Sequence, residues 1–203
     1  MRRVAATTAV LLLLSALTGT ARSDALPGYE PMQTGPGAPG EWRAVEDPDA
    51  TGGRVIEQSS AEPAGDRFPL LIRMATAPAD VTVRVRIKPV SGAIERAGGL
   101  AVRLVDRNTY YLARVDARDG KVGFFKVVAG RQTPLAEADV RVASGSWHDL
   151  AITARGDQFT VSFDGRELFV STDTRIGTPG KIAFWTKADS IVRFDRLDVE
   201  ELR

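Results

Sequence analysis

Seven side chains in this sequence have the types that recognise sugars. Trp185, Tyr110 and Tyr111 are flat rings, Arg103, Arg114 and Lys187 are cationic donors, and Asp189 is an acceptor. A sugar ring offers C–H faces for stacking and hydroxyls for charged hydrogen-bond partners, so such a set is chemically able to meet a carbohydrate or sugar derivative, although residue types alone do not fix the ligand. The structural alternative is that Trp and Tyr fill a β core and that Lys187 to Ser190 is a hairpin turn held by an Asp.

Other chemistries find little material. His148 is the only histidine, so a multi-histidine metal site is ruled out and any Ser-His-Asp triad has to use it. It follows Trp147 at the start of a strand, where a structural, half-buried role is the expectation. The absence of cysteine removes thiol nucleophiles, thiolate zinc sites and a lipid-anchored N-terminal Cys. No EF-hand spacing is present; a structural calcium held by Asp and backbone oxygens is compatible with an all-β fold but not indicated, and no cofactor is expected. The formal charge is +1. Removing Arg2 and Arg3, with or without Arg22, leaves about −1 or −2. Such a balance gives no electrostatic case for nucleic acid or an anionic membrane.

The elements that must position these residues read as strands. Val81 to Ile87 alternates with period two, so Val81, Val83, Val85 and Ile87 face a core while Thr82, Arg84 and Arg86 face water. Pro89 is expected to end that strand. Further short strands are predicted at 42–45, 54–57, 68–73, 100–105, 110–115, 121–128, 149–154, 158–163, 167–170, 181–185 and 191–199. Asp164-Gly165 between alternating runs favours a tight type I′ hairpin. No sustained helical period appears, and short strands separated by turn residues imply an all-β sandwich or barrel. If Val105 pairs with Tyr110 across a four-residue turn, then Arg103, Tyr110 and Arg114 share one sheet face.

Met1-Arg2-Arg3 followed by the apolar run Val4 to Leu17 and small residues has the layout of a secretory signal peptide, residues 1–23. The expected location is therefore periplasmic or secreted, with no membrane span once the signal is cleaved. Residues 24–40 hold Pro27, Gly28, Pro31, Gly35, Pro36, Gly37, Pro39 and Gly40, and read as a linker, with an ordered N-terminal strap as the alternative. A single β domain then occupies 41–203. With no disulfide, its core alone must carry stability. Oligomeric state leaves no mark in the residues.

From about Trp42 to Leu202 the chain resembles the 3-keto-disaccharide hydrolase family. The matching stretches are Gly98 to Arg103, Asn108 to Arg114, Trp147 to Leu150, Phe163 to Gly165, Phe194 to Val199 and, most distinctively, Gly180 to Ser190 with its Trp-Thr-Lys-Ala-Asp-Ser run. The resemblance implies a concanavalin A-like, laminin-G-like jelly-roll β-sandwich of two antiparallel sheets and a carbohydrate-related role outside the cytoplasm. Were the family's hydrolase activity present, Asp189 is the first candidate for an acid or base. Retaining glucanases of related fold carry Glu-x-Asp-x-Glu on one strand face. The nearest approach is Glu137-Ala138-Asp139-Val140-Arg141, where Arg141 replaces the third acid. The leading expectation is thus an exported carbohydrate-recognising domain without efficient catalysis. The alternatives are a hydrolase or lyase acting on 3-keto-glycosides and a non-enzymatic envelope structural or interaction protein.

Overall fold

A computed structural model describes residues 26–203; the predicted signal peptide lies outside the described residues. Fourteen strands, numbered in chain order, form two antiparallel sheets, and the described residues contain no helix. Sheet A runs β1 (Tyr29–Thr34), β4 (Phe68–Ala77), β13 (Gly180–Thr186), β6 (Ala97–Asp106), β7 (Thr109–Asp116), β8 (Lys121–Val128), β9 (Arg131–Asp139). Sheet B runs β12 (Arg166–Thr172), β11 (Gln158–Phe163), β10 (His148–Arg155), β5 (Val81–Ser91), β14 (Ile191–Glu201), β3 (Arg54–Gln58), β2 (Trp42–Glu46). This is the expected all-β jelly-roll sandwich. Among the described residues, no helix is long and apolar enough to cross a membrane.

Alternation builds the core. Val81, Val83, Val85 and Ile87 of β5 turn inward with Leu150, Ile152 and Phe194 of sheet B. They meet Leu100, Val102, Tyr111, Phe124 and Phe184 from sheet A. Asp164 and Gly165 both take positive φ, +48° and +75°, as a type I′ turn requires. Asp164 then anchors the adjoining strand: its carboxylate accepts the Asp149 amide at 2.8 Å and bonds His148 Nδ1 at 2.8 Å. His148 is buried against Phe163, consistent with a structural role.

Four expectations are corrected. The strand at Val81 passes through Pro89 to Ser91, and Pro89 is paired with Val192. This is tolerated because the β10 ladder stops at Ile87, so beyond it β5 has a neighbour on one side only. The segment read as linker carries edge strand β1, laid along β4 from Tyr29↔Arg73 to Thr34↔Phe68. Tyr29 stacks on Phe184 at 5.8 Å, and the missing N–H of Pro31 costs little on an edge. Strand β9, which includes Glu137 and Asp139, is not among the strands predicted above; it forms the other edge of sheet A. Finally, β6 and β7 join through a two-residue turn, Asp106↔Thr109, and an irregularity follows between Val102 and Asp106. The pairs become Ala101↔Leu112 and Gly99↔Arg114.

Candidate functional site

The outer face of sheet A carries a second apolar cluster, separate from the inter-sheet core: Leu70, Ile72, Ala101, Tyr110, Leu112, Phe125 and Trp185, with Met32 and Phe68 packed against it. The register sets Leu70, Trp185, Gly99 and Arg114 in one row across four strands. Gly99 is required there, since a Cβ would stand 2.2 Å from the Ala113 carbonyl oxygen. Arg114 lies over Phe125 at 4.7 Å and reaches Glu137 at 3.8 Å, leaving its buried Nε without a protein partner.

Of the seven residues singled out from sequence, Trp185, Tyr110, Arg114 and Lys187 belong to this side of sheet A, and three do other work. Arg103 takes φ +49° in the β6 irregularity, and its side chain turns in over Phe159. There its guanidinium donates to the carbonyls of Ala79, Ile176 and Gly156 at 2.7–2.9 Å. Burial pulls its pKa below the usual arginine value. Tyr111 faces the inter-sheet core between Phe124 and Phe159. Its hydroxyl donates to Asp173 and accepts the Ile176 amide, and burial with the Asp173 carboxylate pushes it up to about 12. These two side chains are therefore separated from Tyr110 and Arg114 by the thickness of sheet A.

Asp189 is spent on the backbone. Its carboxylate accepts the amides of Ala93, Ile94 and Glu95 at 2.6–3.1 Å and clamps the loop before β6. Burial raises its pKa, but these amide bonds outweigh that and hold it below the usual carboxylate range. Such a group is a poor proton donor and a weak base. Asp189→Asn is expected to cost about 2 kcal/mol of stability, read from the denaturant midpoint at neutral pH. The contribution is complete above the ordinary carboxyl range and fades as pH falls through the depressed folded value.

Trp185 is fully buried and Tyr110 nearly so, at 0% and 1% exposure. Burial pushes the Tyr110 hydroxyl above the usual phenol range. The ring that reaches the surface is Phe68, half-buried and stacked on Trp185 at 5.7 Å and 18°. It borders a recess of about 470 Å³ lined from one margin of the sheet by Thr34, Asp66 and Lys187 and from the other by Asn108, Gly130 and Gln132. One recess thus draws residues from opposite ends of the sheet A strands. Lys187 is held there by an ion pair with Glu95. Sequence reasoning missed Phe68 as a site residue, although its alternation with Leu70 and Ile72 put it on this face. Among the described residues, no group of three or more His, Asp or Glu gathers as a metal site.

No family model matches the sequence, and no curated protein matches it. The fold is similar to the carbohydrate-binding module CBM66 from Bacillus subtilis, with a TM-score of 0.67 and 22% identity over 86% of this chain and 96% of that one. It is also similar to a Bacillus licheniformis beta-glucanase, with a TM-score of 0.59 and 15% identity over 88% and 94% of the two chains. A putative glycosyl hydrolase from Parabacteroides distasonis follows at 0.53 and 12%, over 78% and 90%. At these identities the likeness establishes a shared jelly-roll fold with carbohydrate-related proteins. Against the glucanase-type triplet, Glu137 and Asp139 stand on edge strand β9, and Arg141 lies beyond its end.

Proposed function

We propose that this chain is an exported, periplasmic or secreted carbohydrate-recognising domain that binds a saccharide in the recess on the outer face of sheet A, without efficient catalysis. The observation that carries the reading is Phe68. An aromatic ring, backed flat by Trp185, stands at a hollow whose rim offers an ammonium, two carboxamides and a hydroxyl. That combination supplies a stacking surface for a sugar C–H face and donors and acceptors for its hydroxyls. The fold's similarity to a carbohydrate-binding module supports it, and the apolar N-terminal run supports export. Asp189, committed to three amides, offers no acid or base.

Phe68→Ala is expected to weaken saccharide binding tenfold or more while the fold stays intact, because the ring is only half-buried. Affinity electrophoresis in gels cast with neutral polysaccharides reads this as a fall in retardation. Trp185→Ala is the wrong probe, since removing a fully buried ring costs about 3–5 kcal/mol. Wild-type protein that runs unretarded through every polysaccharide would overturn the reading in favour of an envelope structural or interaction role.

A second reading is turnover of 3-keto-glycosides, from the sequence resemblance. One observation favours it: Asp66 and Lys187, a carboxylate and an ammonium, line the same recess as Phe68. They are groups able to move a proton next to a keto carbon. Incubation with 3-keto-glycosides, followed by sugar analysis, decides it: product formation that Asp66→Asn abolishes supports an enzyme, and an unchanged substrate removes it.

A further inference from the structure

The outer face of sheet B holds a groove of about 470 Å³ running along β10. Its floor follows from side-chain size. Ala151 stands opposite Ser162 on β11 and opposite Arg84 on β5, so two short residues lie beside a long one. Asp149 and Thr153 continue the line, spanning about 13 Å at ~3.3 Å per residue. The far wall is set by an irregularity in β14 between Asp195 and Asp198. Within it Arg196 adopts φ +48°, a conformation a non-glycine residue holds only when its surroundings compel it, and Arg196 lines the groove.

We infer that this groove is a second saccharide-binding site, and that its ligand is an uncharged, hydroxyl-bearing oligosaccharide. Arg86 is tied to Asp195 at 3.0 Å, not to the Asp149 that stands opposite it. Arg84 gives one bond to Glu200, and Arg196 and Asp198 are 3.8 Å apart and both 57% exposed, so most of their donors and acceptors remain open. Guanidinium donors, the Asp149 and Asp198 carboxylates and the Ser162 hydroxyl line the groove together, while the Thr153 hydroxyl is shared with Thr82 at 3.0 Å. Vicinal hydroxyls, each both donor and acceptor, complement such a lining. An anionic chain does not: three guanidiniums face two carboxylates, and Glu200 and Asp195 are paired with Arg84 and Arg86, offsetting the positive charge. The domain so equipped holds sugar on both faces of the sandwich.

The test uses ¹⁵N-labelled Phe68→Ala protein, which lacks the sheet A ring, titrated with cellohexaose, laminarihexaose and maltohexaose, with hexagalacturonate as the charged comparison. At least one neutral hexasaccharide is expected to move amide signals at 82–86 and 149–153 saturably. Adding Ala151→Trp, which fills the floor, abolishes those shifts at an unchanged melting temperature. Should the tryptophan variant fail to fold, Arg84→Ala with Asp149→Ala takes its place and is expected to weaken binding at least tenfold. Static signals at 82–86 and 149–153 with every sugar, or shifts with hexagalacturonate alone, overturn the inference. Because Phe68 is absent throughout, failure on sheet A leaves this outcome unaffected.

Discussion

Arg67→Ala lowers the stability of the fold by about 3–5 kcal/mol. Arg67 is 0% exposed, and its guanidinium is satisfied by oxygen atoms of the chain without a carboxylate hydrogen-bonded to it. Nε donates to Ala38, Nη1 to Ala188, and Nη2 to Pro39 and to the Ser60 hydroxyl, at 2.7–3.0 Å. Burial lowers its pKa, the electrostatic cost of holding a cation among carbonyls. One side chain thus ties the N-terminal strap, the loop after β3 and the turn after β13 into a single knot. The main chain adds to it: the Ala188 amide donates to the Arg67 carbonyl at 2.8 Å. Truncation leaves several carbonyls unpaired beside a cavity. The knot also carries Asp66 and Phe68, so the variant is expected to lose saccharide binding in the sheet A recess as well. Denaturant unfolding followed by tryptophan fluorescence gives the number, and a loss below 1 kcal/mol would contradict the assignment of Arg67 as the pin of this corner.

The second large effect is at Asp47. Its carboxylate is buried and accepts from Lys88 Nζ at 2.6 Å, Arg193 at 3.0 Å and the Asp49 amide at 3.1 Å. Lys88 is itself buried, beneath the Trp147 ring at 4.8 Å. Removing the carboxylate strands that ammonium, so Asp47→Ala is expected to cost about 3–5 kcal/mol. The double variant Asp47→Leu with Lys88→Met removes both charges and is expected to regain most of the loss, a result that a purely steric role for Asp47 does not produce. Burial raises the Asp47 pKa, but the hydrogen bonds from Lys88, Arg193 and the Asp49 amide more than reverse this and hold it at about 2. A lowered folded pKa means stability that is complete above the unfolded value of 3.8 and lost as pH falls towards about 2. Wild-type unfolding curves between pH 5 and pH 2 should show that decline, and the double variant should show less of it.

Much of the fold was legible because it is written in period two. Val81 to Ile87 could only be a half-buried strand, and Asp164-Gly165 could only be a tight turn if the flanking runs pair. What escaped prediction lay where local rules conflict with tertiary partners. Strand β1 hides in a stretch of prolines and glycines, and it forms because Tyr29 has Phe184 to stack on. The β6–β7 register depends on Arg103 at positive φ, and nothing about an arginine announces that conformation. That one irregularity sent Arg103 inward and left Arg114 in the Trp185 row. At the site, residue type was readable and depth was not. Trp185 lies under Phe68, and the hollow is lined by Asn108, Gln132 and Lys187, residues far apart in the sequence.

The most direct measurement is calorimetric titration of the chain from Asp24 to Arg203 with neutral oligosaccharides, in the Arg84→Ala, Asp149→Ala background that disables the sheet B groove, with and without Phe68→Ala, each with its melting temperature recorded. Saturable binding is expected with Phe68 in place, and at least a tenfold weaker affinity once it is replaced, in a variant that still melts cooperatively. Unaltered affinity in a folded Phe68→Ala protein would contradict the sheet A site.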